Sequence, residues 1–405
     1  DRFFDDGGAR SLEGKTWALL AHHASRDAAG VHLLSRLRAS GLEPTLLLAP
    51  EHGLWGLAQD MEAVDSARDP LFRTEVWSLY GADVTTLTLP KALLGARASR
   101  GAGPVNGRPD PAAPSFDVLV VDLQDVGSRY YTYAATLLML MEQLSGRGVR
   151  VVVLDRPNPL GGLVTEGNHV QPGFRSFVGH VDIPNRHGLS LGELALLHRR
   201  REALDLEVEI WCAEGWQRER PAPEALGFFW PSPNMPSLEA ALIYPGMCLI
   251  EGTNLSEGRG TTRPFHVVGA PWVDAEAVAA RLASFGLPGL RFLPFLFRPM
   301  FGKWAGETCH GVHLFVTEPE RVLAWETGLC VLSAFQSLQP ELFQWRHEAY
   351  EFVQDRLAID LLLGDDDCRP LLEGGGDPRA LAQAAAPVAQ AFRAECDDLL
   401  LYRES

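Results

Sequence analysis

The stretch that decides the fold is Phe116–Gly167, which reads FDVLVVDLQDVGSRYYTYAATLLMLMEQLSGRGVRVVVLDRPNPLGGLVTEG. Two apolar runs, Val118–Val121 and Val151–Leu154, flank an apolar segment of helical character, Tyr131–Leu144. Runs of β-branched residues without polar alternation are typical of strands that are buried on both faces. Two such strands joined by a helix pair in parallel through a right-handed connection. The stretch therefore predicts a strand–helix–strand unit of a parallel sheet.

Further candidate strands and helices alternate on both sides of this unit. Before it, Trp17–Leu20 and Thr45–Ala49 resemble buried strands, and Val31–Ala39 between them has helical periodicity. After it, Glu207–Trp211 is another candidate strand. This alternation predicts an α/β domain with an open, Rossmann-like parallel sheet. The chain has neither a G-x-G-x-x-G after the first strand nor a P-loop motif, so we expect no nucleotide cofactor.

The C-terminal third of the chain has a different pattern of predicted helices and strands. Its segments with helical periodicity are Asp274–Phe285, Val322–Ser337 and Ala380–Leu401. Gly311–Val316 alternates like a half-buried strand, so the mixture predicts a smaller α+β auxiliary domain. We place a Rossmann-like catalytic domain over residues 1–268 and the auxiliary domain over 269–405.

Composition and charge limit the classes of partner. The 36 Lys and Arg residues against 52 Asp and Glu residues give a formal net charge of −16, which argues against nucleic acid and anionic membranes. No apolar run reaches the ~18 residues of a membrane-spanning helix. The six cysteines are scattered without a C-x-x-C pair, and His22 and His23 lack ligand spacing, so we expect no metal. Residues 96–114, rich in Gly and Pro, predict a surface insertion.

Polar side chains cluster after the predicted strands, at the edge where open parallel sheets bind ligands. The candidates at these strand ends and in the loops after them are Glu51, His52, Asp122, Gln124, Arg129, Asp155, Arg156, Asn158 and Glu166. A second group in loops shaped by proline and glycine comprises Asn234, Glu251, Asn254, Glu257 and Arg259. The sequence therefore predicts one site at the carboxyl edge of the sheet, closed by the Glu251–Thr261 loop.

Ser190 lies in a formal G-x-S-x-G, the pattern of a hydrolase nucleophile. Such a nucleophile directly follows a strand, and Pro184-Asn185-Arg186 fits a strand poorly. The competing interpretation is that Ser190 caps a helix and that Glu193 completes a capping box. A serine acyl hydrolase using Ser190 is therefore kept as an alternative function.

The motifs of the chain occur in an order that resembles one known family. They are Pro50–Gly53, Asp122–Tyr133, Leu154–Pro159, Glu166-Gly167, His187-Gly188, Gly192–Leu194, Gly215-Trp216, Pro231–Asn234, Glu251–Thr261, Phe343–Trp345, Asp355-Arg356 and Leu400–Tyr402. Together they resemble the NamZ family of exo-acting β-N-acetylmuramidases over nearly the whole chain. The resemblance implies release of N-acetylmuramic acid (MurNAc) from the non-reducing end of peptidoglycan fragments in cell-wall recycling. It also favours an extracytoplasmic location.

Glycoside hydrolysis ordinarily uses two carboxyl groups that flank the scissile bond. We predict Glu51 and Glu166 for these roles, with Glu251 and Glu257 in reserve. The expected substrate-binding side chains are His52, Asp122, Gln124, Arg129, Asp155, Arg156, Asn158, Asn234, Glu251, Asn254, Glu257 and Arg259. Arginine can bind a carboxylate through two parallel hydrogen bonds. Three arginines are therefore candidates for binding the lactyl carboxylate of MurNAc, and the sequence does not rank them. They are Arg129, Arg156 and Arg259.

Two positions depart from the family pattern. Ala21-His22 stands where relatives carry Thr-Asn, and Asp60-Met61 stands where they carry Ala-Gly. Both pairs are expected near the site, so a non-catalytic amino-sugar-binding relative is a further alternative. The sequence leaves the oligomeric state open.

Overall fold

A computed structural model of the protein describes residues 2–94, 116–219 and 228–402. The insertion predicted over 96–114 lies outside these residues. The first sheet contains β1 (Trp17–Ala21), β2 (Leu46–Ala49), β3 (Ala67–Arg68), β4 (Glu75–Ser78), β5 (Val118–Asp122), β6 (Arg150–Leu154) and β7 (Glu207–Trp211). Their order is β3-β4-β2-β1-β5-β6-β7. All neighbours run parallel except β3, which is antiparallel to β4.

The helices of the described residues start at side-chain caps in several places. They are α1 (Arg2–Asp5), α2 (Leu33–Ala39), α3 (Lys91–Leu94), α4 (Thr132–Leu144), α5 (Leu191–Arg201), α6 (Leu238–Met247), α7 (Ala275–Ser284), α8 (Ala324–Leu338), α9 (Ala358–Leu363), α10 (Cys368–Glu373) and α11 (Pro378–Cys396). Asp274 caps α7, and Asp377 caps α11, where proline follows at the first helical position. None of these helices is long and apolar enough to span a membrane.

The predicted strand–helix–strand unit is confirmed. β5 and β6 pair in parallel, with Val118 opposite Arg150 and Val121 opposite Val153, and α4 connects them. All five residues of β5 are buried, as expected for a central strand that is covered on both faces. Gly146, with a left-handed φ of 71°, lets the chain turn back toward β6 after the helix.

The strand order reverses at β1, which pairs with β2 on one side and with β5 on the other. In open parallel sheets, ligands bind in the crevice beyond the carboxyl ends of the strands at such a switch point. Glu51 comes two residues after the end of β2. The fold therefore places Glu51 at the edge of the sheet where a ligand site is expected.

The second sheet confirms a smaller α+β part of the chain. It contains β8 (Val267–Ala270), β9 (Leu290–Phe297) and β10 (Cys309–Val316) in the antiparallel order β8-β10-β9. α7 packs against β9 and β10, and α8 packs against α7. The division at residue 268 stays a prediction, and β8 begins beside it.

The two parts of the chain share one apolar core. α6 and α8 meet at Gly246 and Gly328, where a Cβ on either residue would collide with the backbone of the other helix. Near the start of α4, Arg129 donates hydrogen bonds to the carbonyl oxygens of Leu362 (2.8 Å) and Leu363 (3.0 Å). This packing fixes the C-terminal part against the carboxyl edge of the first sheet.

Candidate active site

Glu51 lies at the carboxyl edge of the sheet next to the first turn of α4. Its side chain is buried, and Thr132 Oγ1 donates a hydrogen bond of 2.5 Å to Glu51 Oε2. The next residue, His52, has a left-handed φ of 68°, which turns the chain sharply after β2. These features direct the carboxyl group of Glu51 into the protein rather than into solvent.

Two further carboxyl groups approach Glu51. Oxygen atoms of Glu51, Asp60 and Glu351 lie within 4.8 Å of one another. Asp60 belongs to the loop after β2, whereas Glu351 comes from the C-terminal part and accepts a 3.0 Å hydrogen bond from the Tyr80 hydroxyl. Carboxylates at this spacing repel one another, so the three cannot all be ionised in a buried site.

Burial and neighbouring charges act on the pKa values of two members of this cluster. Burial raises the pKa of Glu351 well above its usual range, and the negative charges of Glu51 and Asp60 raise it further. Burial also raises the pKa of Asp60, although the Arg259 guanidinium opposes that shift. A carboxyl group with a raised pKa, that of Glu351, therefore faces the carboxyl group of Glu51, an arrangement suited to acid–base chemistry.

Arg259 is the main positive charge beside the cluster. Its Nη1 lies 2.7 Å from Glu251 and 3.2 Å from Glu257, and its Nη2 lies 3.2 Å from Asp60. Burial alone would raise the pKa of Glu257, but the charges of Lys303 and Arg259 outweigh it and lower that pKa to about 2. Arg259 thus links the carboxyl cluster to the Glu251–Thr261 loop.

The carboxyl cluster lies at the inner end of a cleft. The inner chamber has a volume of about 30 Å³, and the outer cavity has about 710 Å³. Asp60, Glu251 and Arg259 line both, and Trp304 and Trp345 line the outer cavity. Small-molecule sites occupy roughly 300–1,000 Å³, whereas a volume of about 30 Å³ is that of a water molecule in the liquid. The outer cavity is therefore large enough for a sugar.

Strained backbone concentrates around this cleft. Eight non-glycine residues of the described chain have left-handed φ values. Six line the cleft or adjoin its carboxyl groups, namely His52, Met61, Phe265, Trp304, Glu351 and Phe352. Such conformations cost about 1–3 kcal/mol each and persist where the surrounding structure enforces them, most often at functional sites. Backbone strain therefore marks the cleft independently of its charges.

A two-residue turn delivers Glu351 to the site. Tyr350 and Val353 exchange two backbone hydrogen bonds of 2.9 Å, and Glu351 and Phe352 between them have φ values of 45° and 68°. Hairpin turns with two left-handed residues strongly prefer Asn-Gly, so the pair Glu-Phe is unusual. The ring of Phe352 packs edge-on against Tyr80, whose hydroxyl bonds Glu351. Packing therefore holds the turn in place.

The structure divides the predicted site residues into groups. Those that line the cleft are Glu51, His52, Asn234, Glu251, Asn254, Glu257 and Arg259. Those that line a separate cavity of about 390 Å³, beyond β5 and β6, are Asp122, Asp155 and Arg156. The predicted substrate contacts of both groups stay predictions.

The residues of the separate cavity have partners within the protein. Arg156 donates two hydrogen bonds to Asp122, at 2.5 and 3.0 Å. Asp155 accepts from the hydroxyls of Ser190 (2.6 Å) and Tyr402 (2.7 Å) and from the backbone N–H of Gly192 (2.8 Å). Burial raises the pKa of Asp155 to about 6. These contacts join the loops at the carboxyl ends of the strands.

Three other predicted binding residues bond to the backbone of nearby loops. Gln124 Nε2 donates to the carbonyls of Asp125 and Pro157, and Asn158 Nδ2 donates to that of Leu189. Arg129, besides its bonds to α9, donates to the carbonyls of Asn168 and Ile183. None of the three lines the cleft that contains Glu51.

Glu166, the predicted second carboxylate, does not line this cleft either. Its carboxylate pairs with Arg186 at 2.9 Å and accepts the backbone N–H groups of Ala324 and Trp325 at the start of α8. A carboxylate is favourable there because the first N–H groups of a helix lack internal partners. The structure thus separates Glu166 from Glu51 and brings Asp60 and Glu351 to Glu51 instead. Glu351 follows no predicted strand, so no pattern in the sequence indicated that it belongs to the site.

Ser190 is a helix cap, as the capping-box interpretation predicts. Its Oγ accepts the backbone N–H of Glu193, and the Glu193 side chain accepts that of Ser190. The Ser190 hydroxyl donates to Asp155, and no histidine contact of this hydroxyl occurs in the described residues. The hydroxyl therefore lacks the base that activates a serine nucleophile.

Two clusters of the described residues could each offer three ligand atoms to a metal ion. One is the carboxyl cluster itself, and the other is Glu142, His180 and His198 on the far side of α4. In the first, burial raises the pKa of Glu351 and the Arg259 guanidinium lies 3.2 Å from Asp60, which disfavours a cation. The absence of a metal stays a prediction.

Comparisons with known proteins identify the family. The profile described as Exo-beta-N-acetylmuramidase NamZ, N-terminal, matches residues 17–93 and 108–239, and its C-terminal counterpart matches 242–402. The chain belongs to the NamZ family. It is 36% identical over 395 residues to the peptidoglycan β-N-acetylmuramidase NamZ of Bacillus subtilis, covering 97% of this chain and 88% of that protein. The family that the motifs indicated is confirmed, and a serine acyl hydrolase is not favoured.

Two solved structures share the fold of this NamZ-family chain. Both are proteins of the DUF1343 family from Bacteroides fragilis. One has a TM-score of 0.82 and 27% identity, covering 99% of this chain and 97% of the other. The second has a TM-score of 0.70 and 26% identity, covering 98% and 96%. The likeness extends over both parts of the chain.

Proposed function

We propose that the protein is an exo-acting β-N-acetylmuramidase that releases MurNAc from the non-reducing end of peptidoglycan fragments, with Glu51 and Glu351 as its carboxyl pair. The observation that carries the proposal is the crowded carboxyl cluster at the inner end of a sugar-sized cleft. The name of the B. subtilis relative supports the substrate. Glu351 replaces Glu166 as the second carboxyl group because Glu166 lies at the start of α8.

The environments of the two carboxyl groups support different roles. Glu351, kept protonated, donates its proton to the glycosidic oxygen as the bond from that oxygen to C1 breaks. Glu51, whose Oε2 accepts the Thr132 hydroxyl, is the carboxylate that attacks C1 and forms a glycosyl ester. Glu351 then accepts a proton from the water that hydrolyses this ester, so both groups return to their starting states.

The spacing of the carboxyl groups supports retention of configuration at C1. Retaining glycosidases hold their two carboxyl groups about 5–5.5 Å apart, whereas inverting ones leave about 6.5–9.5 Å for a water molecule. Oxygens of Glu51 and Glu351 lie within 4.8 Å, which is nearer to the first arrangement. Proton NMR of the first sugar released tests this: β-MurNAc supports retention, and α-MurNAc contradicts it.

The narrow inner end of the cleft supports exo action. The chamber that Glu51, Asp60 and Glu351 line measures about 30 Å³, against about 710 Å³ for the outer cavity, so the room for a glycan chain lies on the outer side. The terminal sugar therefore reaches the cluster from the outer cavity, and the rest of the fragment points outward past Trp304 and Trp345. Aromatic rings of this kind offer apolar faces to sugar rings.

Release of nitrophenol from 4-nitrophenyl β-MurNAc tests the proposed function. We expect turnover by the natural chain and a loss of about 100-fold or more in Glu51→Gln and Glu351→Gln, as for positioned acid–base groups. Glu62→Gln, an exposed carboxylate in the same loop as Asp60, is the matched control and should keep native turnover. Folded protein that binds MurNAc without turning over this substrate or a natural disaccharide would instead be a non-catalytic sugar-binding relative.

A further inference from the structure

We propose that the Asp60 side chain occupies the position beside Arg259 where a substrate carboxylate binds. When Asp60 moves away, Arg259 binds the lactyl carboxylate of MurNAc there. This inference rests on the proposed function and names the contact that selects the sugar. The hydrogen bonds of Arg259, the volumes of the inner chamber and outer cavity, and the charge of the carboxyl cluster support it.

The Nη1 nitrogen of the Arg259 guanidinium contacts two carboxylates, whereas only one nitrogen of its Nε–Nη2 edge is hydrogen-bonded. Nη1 contacts Glu251 and Glu257, which are themselves held by the Tyr350 hydroxyl (2.6 Å) and by Lys303 (3.1 Å). On the opposite edge, Nη2 reaches Asp60 at 3.2 Å, while Nε is buried without a hydrogen-bond partner in the described residues. A buried donor without a partner is destabilising, so this edge favours a carboxylate that bonds both nitrogens.

Another arginine of the same protein shows how this edge binds a carboxylate when it is fully used. Arg156 donates to Asp122 through Nε at 2.5 Å and through Nη2 at 3.0 Å. This two-pronged arrangement is the strong form of the arginine–carboxylate pair. The Nε–Nη2 edge of Arg259 has the same donors but only one of them bonded, so it can accept a better-placed carboxylate than Asp60.

The position of Asp60 makes it the group that an entering sugar meets. Asp60 and Arg259 both line the boundary between the outer cavity and the inner chamber, which is too small for a sugar. Asp60 is half-buried in the loop after β2, and the next residue, Met61, has a left-handed φ of 57°. For C1 of the sugar to reach Glu51 and Glu351, the side chain of Asp60 has to move aside.

Charge gives a second reason for this exchange. The acids that line the chamber and the outer cavity are Glu51, Asp60, Glu251, Glu257, Glu348 and Glu351, and the cations are Arg259, Lys303 and Arg346. A further carboxylate enters this acidic surrounding favourably only if one existing charge leaves or is neutralised. Asp60, whose pKa burial already raises, is the acid that either turns outward or takes up a proton.

Calorimetric binding of the free sugars tests the proposal without depending on turnover. MurNAc and GlcNAc differ by the lactyl group, so the ratio of their Kd values reports that group, and the Asp60 and Arg259 variants isolate its carboxylate. We expect the natural chain to prefer MurNAc and Asp60→Ala to increase that preference about tenfold, as for a charge-assisted hydrogen bond freed from a competitor. Arg259→Lys should reduce the preference at least as much, and Glu62→Gln should leave it unchanged.

Asp60→Asn is a second variant in case the alanine variant does not fold, and it should shift the ratio in the same direction. An unchanged ratio in the folded Asp60 variants, or in Arg259→Lys, overturns the proposal. So does failure of MurNAc to bind the natural chain at millimolar concentration. MurNAc-selective binding without hydrolysis of 4-nitrophenyl β-MurNAc would count against the proposed function and leave the Asp60–Arg259 exchange standing.

Discussion

The carboxyl edge of the first sheet has two halves that look alike in sequence and differ in structure. Beyond β5 and β6, Asp122 and Asp155 each have a set of donors around them. Beyond β2, Glu51 instead meets two other carboxyl groups, from Asp60 and Glu351. In the first half the charges are paired, and in the second they are crowded.

The backbone differs between the two halves in the same way. None of the eight left-handed non-glycine residues in the described chain falls within 122–129 or 154–160. His52, Met61, Glu351 and Phe352 all adjoin the crowded half. Paired charges with relaxed backbone stabilise loops, whereas crowded charges on strained backbone are the usual arrangement of an active site. We therefore propose a structural role for the paired half and a catalytic role for the crowded half.

Removal of a carboxylate from the paired half tests whether its charges serve the fold. Asp122→Ala leaves the half-buried Arg156 with only its hydrogen bond to the Arg26 carbonyl, so we expect the free energy of unfolding to fall by about 3 kcal/mol, the lower end for a broken buried pair. Turnover per folded molecule should stay close to that of the natural chain. Urea unfolding and hydrolysis of 4-nitrophenyl β-MurNAc measure the two effects.

The exposed Asp205 supplies the control for this experiment. Asp205→Ala should change the free energy of unfolding by no more than about 0.5 kcal/mol, as most surface substitutions do. The opposite result for Asp122→Ala, native stability with turnover reduced 100-fold, would return Asp122 to the substrate site that the sequence predicts.

The crowded half should show the reverse behaviour, because burial there opposes ionisation of Glu351 and so raises its pKa. The folded pKa of Glu351 lies above its unfolded value, so folded protein binds the extra proton between the two values and stability falls as pH rises through that window. Glu351→Gln has no carboxyl group at this position, so its stability should not fall in this way. Above about pH 4.3 its free energy of unfolding should exceed that of the natural chain by a difference that grows by up to about 1.4 kcal/mol per pH unit.

Urea unfolding of both proteins between pH 4 and pH 7 measures this difference. Glu348→Gln is the control, because Glu348 is exposed and lies only three residues away. Parallel stability curves for Glu351→Gln and the natural chain would show that folding does not raise the pKa of Glu351.

The sequence predicted the sheet well because its strands are continuous apolar runs. It also placed Glu51 at the carboxyl edge of the sheet, because that residue comes two residues after such a run, whereas the catalytic roles of Glu51 and Glu166 stay predictions. It could not predict Glu351, which a turn of two left-handed residues delivers from the far end of the chain. It paired Glu51 with Glu166 because residue type does not reveal an internal partner, and only the fold shows that Glu166 meets the start of α8.

The smallest expected effect concerns Ser190, which borders the paired half through its bond to Asp155. Ser190→Ala removes the helix cap of α5 and one donor from Asp155, so we expect a loss of about 1–2 kcal/mol in the free energy of unfolding. Turnover of 4-nitrophenyl β-MurNAc should persist, since Ser190 does not line the cleft. Labelling of the natural chain by a fluorophosphonate, lost in Ser190→Ala, would contradict this assignment and revive the nucleophile. If the natural chain is not labelled, and Ser190→Ala is less stable but keeps its turnover, Ser190 has only a structural role at the edge of the sheet.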